Sequence, residues 1–208
     1  MTRIHKIPPS VRTVLRGFET VSRFWDAPSG IWVAQVLPGE FYVSNQDEII
    51  TTVLGSCVST CIRDDVAGVG GINHFMLAND TGREGGESLR YGLFAIERLI
   101  NEVLKHGGNR ERLEVKVFGG ARVIPGMGDI GRANVEFVRK YLAQEGMTSV
   151  AEDVGMNFAR RLRYHPLTGQ AMVKQLPVNE VKTVVESEKA HEQWVRGKVR
   201  AKADVELF

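Results

Sequence analysis

Two extended runs joined by a short turn limit the fold of this chain more than any other feature. Residues 57–64 and 69–77 are rich in β-branched and apolar side chains, and the turn-forming stretch Asp65-Val66-Ala67-Gly68 separates them. This pattern predicts an antiparallel β-hairpin. Both cysteines of the chain, Cys57 and Cys61, lie on the first strand of this hairpin, and His74 lies on the second.

The register of the hairpin decides whether Cys57 and His74 meet. If Asp64 faces Ala67, then Cys57 faces His74 with their Cβ atoms about 4.5–5.5 Å apart. A four-residue loop shifts the register by two and makes the pair diagonal, yet both side chains stay on one face of the sheet because the strand period is two. Either register therefore predicts a thiol and an imidazole on the same face.

The rest of the chain predicts a mixed α/β body with many short strands and two amphipathic helices, in which sheets are backed by helices. We expect a domain over residues 31–178, an N-terminal extension over 1–30 with a Pro8-Pro9 pair, and a charged C-terminal tail over 179–208. The tail is predicted to form a solvated helix with a frayed end, and the alternative is a tail that binds a partner. Strands are predicted at 31–36, 40–43, 48–54, 113–118, 149–154, 159–164 and 170–176, and helices from about residue 87 to 104 and from 132 to 145.

Composition excludes several classes of function. With 27 basic and 25 acidic residues the net charge is only +2, which does not favour binding to nucleic acid. The sequence has no stretch of ~18 consecutive apolar residues, so no membrane insertion is expected. The two cysteines would lie about 13 Å apart along a strand, too far for a disulfide. Reduced thiols indicate a cytoplasmic protein.

Cys57 is the candidate nucleophile. Gly55 and Ser56 precede it, and so small a pair lets a substrate carbonyl approach backbone N–H groups that stabilise an oxyanion. An imidazole within hydrogen-bond reach favours the thiolate form of a cysteine. Cys61 has no such partner and is predicted to be core. The alternative for His74 is a purely structural histidine.

Other chemistries find less support. Cys57, Cys61 and His74 supply at most three zinc ligands, without CxxC or HxxxH spacing, so we predict no metal and no cofactor. The glycine pairs at 70–71, 85–86, 107–108 and 119–120 do not lie in a GxGxxG or GxxxxGK[ST] sequence, so they do not predict a phosphate-binding loop. Thr51, six residues before Cys57, is a candidate for a hydroxyl near the site, whereas Thr52 should point to the opposite face.

Several ordered motifs closely resemble the CheD family, the chemoreceptor glutamine deamidases of bacterial chemotaxis. They are Thr51-(x)2-Leu54-Gly-Ser-Cys-Val58, Cys61-Ile-Arg-Asp64, Gly70-Gly-Ile-Asn-His-Phe-Met-Leu77, Gly119-Gly-Ala121, Ile130-Gly-(x)2-Asn134, and Glu152-Asp-Val-Gly155 with Ala159-Arg160. The resemblance covers roughly residues 38–174. Ala78 and Met156 depart from the family pattern, and both lie outside the cysteine–histidine pair.

The resemblance implies an α/β sandwich of cysteine-hydrolase type and an enzyme that converts glutamine side chains of receptor signalling helices to glutamate. By position, Cys57 is similar to the family nucleophile, His74 to its base and Thr51 to its third site residue, while Gly55 and Ser56 would supply oxyanion contacts. The partners implied are methyl-accepting chemotaxis receptors and a CheC-type phosphatase. The alternative is a non-catalytic adaptor of the same fold. A papain-like protease lacks its local C-G-[SA]-C-[WY] signature.

Overall fold

Two five-stranded mixed sheets form the body of the protein in the computed structural model, which describes residues 13–77, 85–123 and 130–205. The first sheet has the order β1-β2-β4-β9-β10 and the second the order β3-β6-β5-β7-β8. The strands are β1 (Ser22–Asp26), β2 (Ile31–Gln35), β3 (Phe41–Ser44), β4 (Glu48–Leu54), β5 (Val58–Asp64), β6 (Val69–Asn73), β7 (Glu114–Gly119), β8 (Ser149–Val154), β9 (Arg160–Tyr164) and β10 (Ala171–Gln175). The mixed α/β class is confirmed.

Three α-helices accompany the sheets in the described residues: α1 (Gly85–Lys105), α2 (Ile130–Gln144) and α3 (Val178–Val205), with a short 3-10 helix at Arg110–Arg112. Helix α1 contacts β3, β5 and β6, and α2 contacts β5. One hydrophobic cluster draws buried side chains from both sheets and from α1 and α2. The predicted layers of sheet and helix therefore share one core.

The N-terminal segment is more than an extension. Ser22–Asp26 forms β1, which pairs antiparallel with β2 so that Trp25 lies opposite Trp32. Phe18 is buried and packs edge-on against Tyr42. The stretch from Phe18 onward thus belongs to the domain, and residues 1–12 lie outside the described part of the chain.

The central hairpin has the four-residue loop of the second register. Asp64 pairs with Val69 and Cys61 with Ile72, and the Asp64 carboxylate accepts hydrogen bonds from the backbone N–H groups of Val66 and Ala67. This side chain fixes the turn, as Asp commonly does. The register in which Asp64 faces Ala67 is wrong.

The C-terminal tail departs most from expectation. Residues 178–205 form one long helix, but it is not solvated on all sides. The side chains of Val184, Glu188, His191, Glu192 and Val195 are buried, and their spacing places them on one helical face. The prediction of a solvated helix is wrong for this face, which packs against the domain where β4 ends.

Candidate active site

A loop that crosses from one sheet to the other carries Cys57. Strand β4 ends at Leu54 in the first sheet and β5 begins at Val58 in the second, so residues 55–57 form the connection rather than a continuation of β5. The side chain of Cys57 has 0% exposure. The prediction that Cys57 lies on the hairpin strand is therefore wrong by one residue.

The backbone carbonyl groups of residues 55–57 each accept a hydrogen bond from another segment, and these bonds fix the loop. Gly55 O accepts from Ala121 N and Cys57 O accepts from Gly120 N, each at 2.7 Å, and Ser56 O accepts from the Asn134 side-chain amide at 2.8 Å. Gly120 has φ +66°, and Gly119, at φ +106°, has no room for a Cβ because that atom would meet Cys57 O at 2.2 Å. The glycine pair thus allows the backbones to approach closely.

With the carbonyls engaged, the N–H groups of the loop point to a common place, and the Glu188 carboxylate of α3 fills it. Oε1 accepts from Gly55 N at 2.8 Å and from Cys57 N at 3.1 Å. Oε2 accepts from Ser56 N at 2.8 Å and from the Ser56 hydroxyl at 2.7 Å. A row of fixed N–H donors around an anion is the arrangement that stabilises oxyanions.

His74 lies beside Cys57 in a defined tautomer. The Thr52 hydroxyl donates to Val36 O at 2.7 Å, and Thr52 Oγ1 lies 2.8 Å from His74 Nδ1. A hydroxyl has a single proton, so Nδ1 must donate to Oγ1. The other nitrogen, Nε2, is buried without a hydrogen-bond partner in the described structure. It is unprotonated and available as a base toward the thiol.

The structure places Thr52, rather than Thr51, against the imidazole. The Thr51 hydroxyl donates to Leu162 O of the neighbouring strand β9. The expectation that Thr52 points away from the site is wrong, and a role for Thr51 in the site stays a prediction. The expectation assumed unbroken strand alternation from Thr51 through Cys57, whereas the strand stops at Leu54 and the chain bends at Gly55-Ser56 before the cysteine.

Helix α3 covers the site, and this burial shifts the pKa values of Cys57 and His74. Burial raises the pKa of the Cys57 thiol well above its usual range, and the adjacent negative charge of Glu188 acts in the same direction. Burial also lowers the pKa of His74 from 6.5 to about 3, with a smaller contribution from His191. Both groups are therefore neutral, and the thiolate that nucleophilic attack requires is disfavoured.

The same three side chains are of metal-ligating types. Cys57 Sγ, a ring nitrogen of His74 and a carboxylate oxygen of Glu188 all lie within 4.8 Å of one another. A carboxylate has about four lone-pair positions, and the four hydrogen bonds from residues 55–57 occupy them. Glu188 is thus engaged as a hydrogen-bond acceptor, which speaks against a metal-binding role in this arrangement.

Three residues of the site escape the sequence reasoning. Asn134 belongs to one of the sequence motifs, but no local pattern indicates that it joins Ser56 O to Leu77 N. Thr52 is predicted on the wrong face. Glu188 is one acidic residue in a strongly charged helix, and nothing in its local sequence distinguishes it from its neighbours.

The fold and the site define a class. A buried cysteine and an imidazole, with the imidazole oriented by a hydroxyl and the cysteine flanked by converging backbone N–H groups, form the constellation of a cysteine-dependent hydrolase.

Comparison with known proteins identifies the family. The family described as "CheD chemotactic sensory transduction" matches residues 76–175. Curated relatives named "Probable chemoreceptor glutamine deamidase CheD" include that of Hahella chejuensis, 44% identical over 100% of both chains, and that of Saccharophagus degradans, 43% identical over 98% of this chain and 97% of the relative. The chain belongs to the CheD family.

The similarity extends beyond the motifs. The alignment to the Hahella chejuensis relative includes both terminal segments, whereas the motifs alone cover roughly residues 38–174. A solved structure, the hypothetical protein YfiH of Bacillus licheniformis, reaches a TM-score of only 0.35 at 13% identity over 57% of this chain and 50% of that chain, too little to carry an argument. No helix in the described segments is long and apolar enough to cross a membrane.

Proposed function

We propose that this protein is a chemoreceptor glutamine deamidase that hydrolyses glutamine side chains to glutamate and releases ammonia. The names of the curated relatives supply the reaction and the substrate class. The observation that supports it most directly is the carboxylate bound by the N–H groups of Gly55, Ser56 and Cys57 beside a thiol and an imidazole. The product of glutamine hydrolysis is such a carboxylate.

The residues divide the chemistry as follows. Once the site opens to substrate and water, His74 Nε2 takes the thiol proton and Cys57 Sγ attacks the glutamine Cδ. The oxygen of the tetrahedral intermediate is held by the N–H groups of Gly55 and Cys57. His74 protonates the departing ammonia and leaves a thioester, and it then deprotonates the water that releases glutamate. Thr52 keeps the imidazole in the required tautomer.

The setting of the reaction belongs to the same proposal. The substrate is a methyl-accepting chemotaxis receptor, modified on a helical segment of its cytoplasmic region, and the enzyme acts in the cytoplasm, where its two free thiols stay reduced. A CheC-type phosphatase as a partner stays a prediction from the family resemblance.

The test is conversion of receptor glutamine. The purified chain is incubated with the cytoplasmic fragment of a chemoreceptor, and peptide mass spectrometry follows each glutamine. We expect conversion by the wild type and by Glu188→Ala, whose oxyanion position is vacated, but none by Cys57→Ala. Receptor binding without Cys57-dependent conversion by either active form would overturn the enzymatic assignment and leave an adaptor.

A further inference from the structure

We propose that α3 occupies the surface that receives the substrate helix, with the Glu188 side chain standing where the glutamate produced by the reaction stands. The proposal rests on the deamidase function and extends it to the shape of the substrate and to control of the site. The chain would thus hold a copy of its own product, carried on a helix as the substrate is.

The position of the Glu188 carboxylate is the first argument. It has 1% exposure, lies within 4.8 Å of both Cys57 Sγ and the His74 ring, and takes hydrogen bonds from three successive backbone N–H groups. A carboxylate that merely anchored a helix would not need to lie against the nucleophile and the base. The carboxyl group of Glu188 is therefore held beside both groups that would act on a substrate carboxamide.

The room made for this carboxylate is the second argument. A Cβ on Gly55 would lie 2.9 Å from Glu188 Oε2 and 2.7 Å from Val123 Cγ2. The glycine therefore permits the approach of a planar three-atom group to the backbone. A glutamine amide has the same shape: its oxygen can accept from Gly55 N and Cys57 N, and the Ser56 hydroxyl can rotate to accept from the amide NH₂. The Ser56 backbone N–H, which donates to Oε2 of Glu188, would lose its acceptor, so the row of donors favours the carboxylate product over the amide.

The buried face of α3 describes the helix that fits here. Val184, four residues before Glu188, packs with Ala159 and Leu176, and Val195, seven residues after it, packs against Tyr91. An apolar contact thus stands on each side of the reacting position, at spacings that share one helical face. The surface fits an α-helix that presents glutamine between two apolar residues, which is a helix-in-groove mode of recognition.

A cavity lies between the domain and the buried face of α3. Its lining includes Val36, Thr52 and His74 from the domain and Thr183 and Ser187 from α3. Thr183 and Ser187 thus line the same cavity as Thr52 and His74, so the helix leaves a space that reaches the imidazole. Water can therefore enter beside the imidazole, the group that activates water for hydrolysis of a thioester.

The proposal predicts that the chain can act on itself. In Glu188→Gln the amide lies against Cys57, which attacks Cδ; ammonia leaves with a proton from His74, and water cleaves the thioester to restore glutamate at position 188. The matched control is Glu186→Gln, the same change two residues away on the exposed side of the helix.

The decisive experiment compares peptide masses at positions 186 and 188. We expect glutamate at 188 in purified Glu188→Gln, glutamine at 188 in the Cys57→Ala/Glu188→Gln double variant, and glutamine at 186 in the control. The double variant should also stay unconverted when mixed with wild type, because its own helix lies in its own site.

Two outcomes of this experiment count against the proposal in different ways. If glutamine persists at position 188 of the Glu188→Gln variant while that variant still deamidates the receptor fragment, the inference about α3 alone is overturned. If glutamine persists there and the receptor fragment is not deamidated either, the result counts against the deamidase function as well.

A second measurement separates a product mimic from a structural anchor. In Glu188→Ala, receptor deamidation and alkylation of Cys57 by iodoacetamide should both accelerate by about tenfold or more, since hydrogen bonds to a charged group each hold α3 in place. Glu186→Ala should leave both rates unchanged. Slower deamidation in a destabilised Glu188→Ala chain would indicate a purely structural carboxylate and refute the proposal.

Discussion

Cys57 and Cys61 lie four residues apart, and both side chains are fully buried, yet their surroundings differ in every respect that matters for reactivity. Cys61 lies within β5, paired with Ile72 on β6 and Lys116 on β7. Burial raises its pKa, although Lys116 acts in the opposite direction. Cys57 lies just before the strand begins, beside the His74 imidazole and a row of N–H donors. Burial alone therefore says little about a cysteine, and the groups within a few ångströms decide its role.

The sharpest test of this contrast removes each thiol in turn. Cys57→Ala should lower receptor deamidation by about a thousandfold or more, the scale seen when a nucleophile is lost. Cys61→Ala should retain most of the activity and lose about 1 kcal/mol of unfolding free energy. Rates come from ammonia release and stabilities from urea titration. Equal losses of activity in Cys57→Ala and Cys61→Ala, with both variants folded, would contradict different roles for the two cysteines.

Removal of the base should affect only one of the two cysteines. His74→Gln should slow deamidation by about a hundredfold or more and leave the labelling of Cys61 unchanged. A comparable rate in this variant would assign the base role elsewhere.

The same histidine should shape the acid stability of the fold. Because its pKa is lowered in the folded chain from 6.5 to about 3, the unfolded chain binds the proton more readily in that window, so the wild type loses stability as pH falls from 6.5 toward 3. His74→Gln should flatten this slope in denaturant titrations. An unchanged slope would show that other groups dominate it.

A substitution at Gly55 tests whether activity depends on room for a substrate group beside the backbone N–H groups, and not on the Cys57 thiol alone. Gly55→Ala should lower the rate by about tenfold to a hundredfold, because the added Cβ displaces whatever carboxyl or amide group enters the row of donors. Gly68→Ala, in the hairpin turn, has room for the added Cβ but a φ of +63° that strains alanine, so it is the control for a loss of activity through backbone strain alone. Full activity in Gly55→Ala would mean that substrate binds elsewhere.

The smallest expected effect concerns the two threonines. Thr52→Val keeps the shape but removes the acceptor for His74 Nδ1–H, and should cost about tenfold in rate. Thr51→Val removes only the bond to Leu162 O and should change the rate by less. A larger effect at Thr51 than at Thr52 would support Thr51 as the third site residue, as the family resemblance implies.

The sequence allowed the closeness of Cys57 and His74 to be predicted because a hairpin is local, although each residue lies one position outside the strands. The rule of strand alternation failed between Thr52 and Cys57, where the strand ends and the chain crosses to the other sheet at Gly55-Ser56. Most strand and helix positions followed from periodicity, but β1 did not, because Ser22–Asp26 has a weak pattern and gains its place by pairing with β2. Contacts over 131 to 133 residues, such as those of Glu188 with residues 55–57, leave no local signature.

The loop at residues 55–57 takes its shape only when distant segments of the chain have folded against it. Its three carbonyls are bound by residues near positions 120 and 134, and the imidazole of His74 reaches it from the end of the following hairpin. Contacts this distant in sequence form late, once the sheets and α2 have come together. A nascent or damaged copy would therefore carry a thiol without the neighbouring imidazole and without the row of N–H donors. Catalytic competence itself would report that folding is complete, so defective copies could not mismark the receptors.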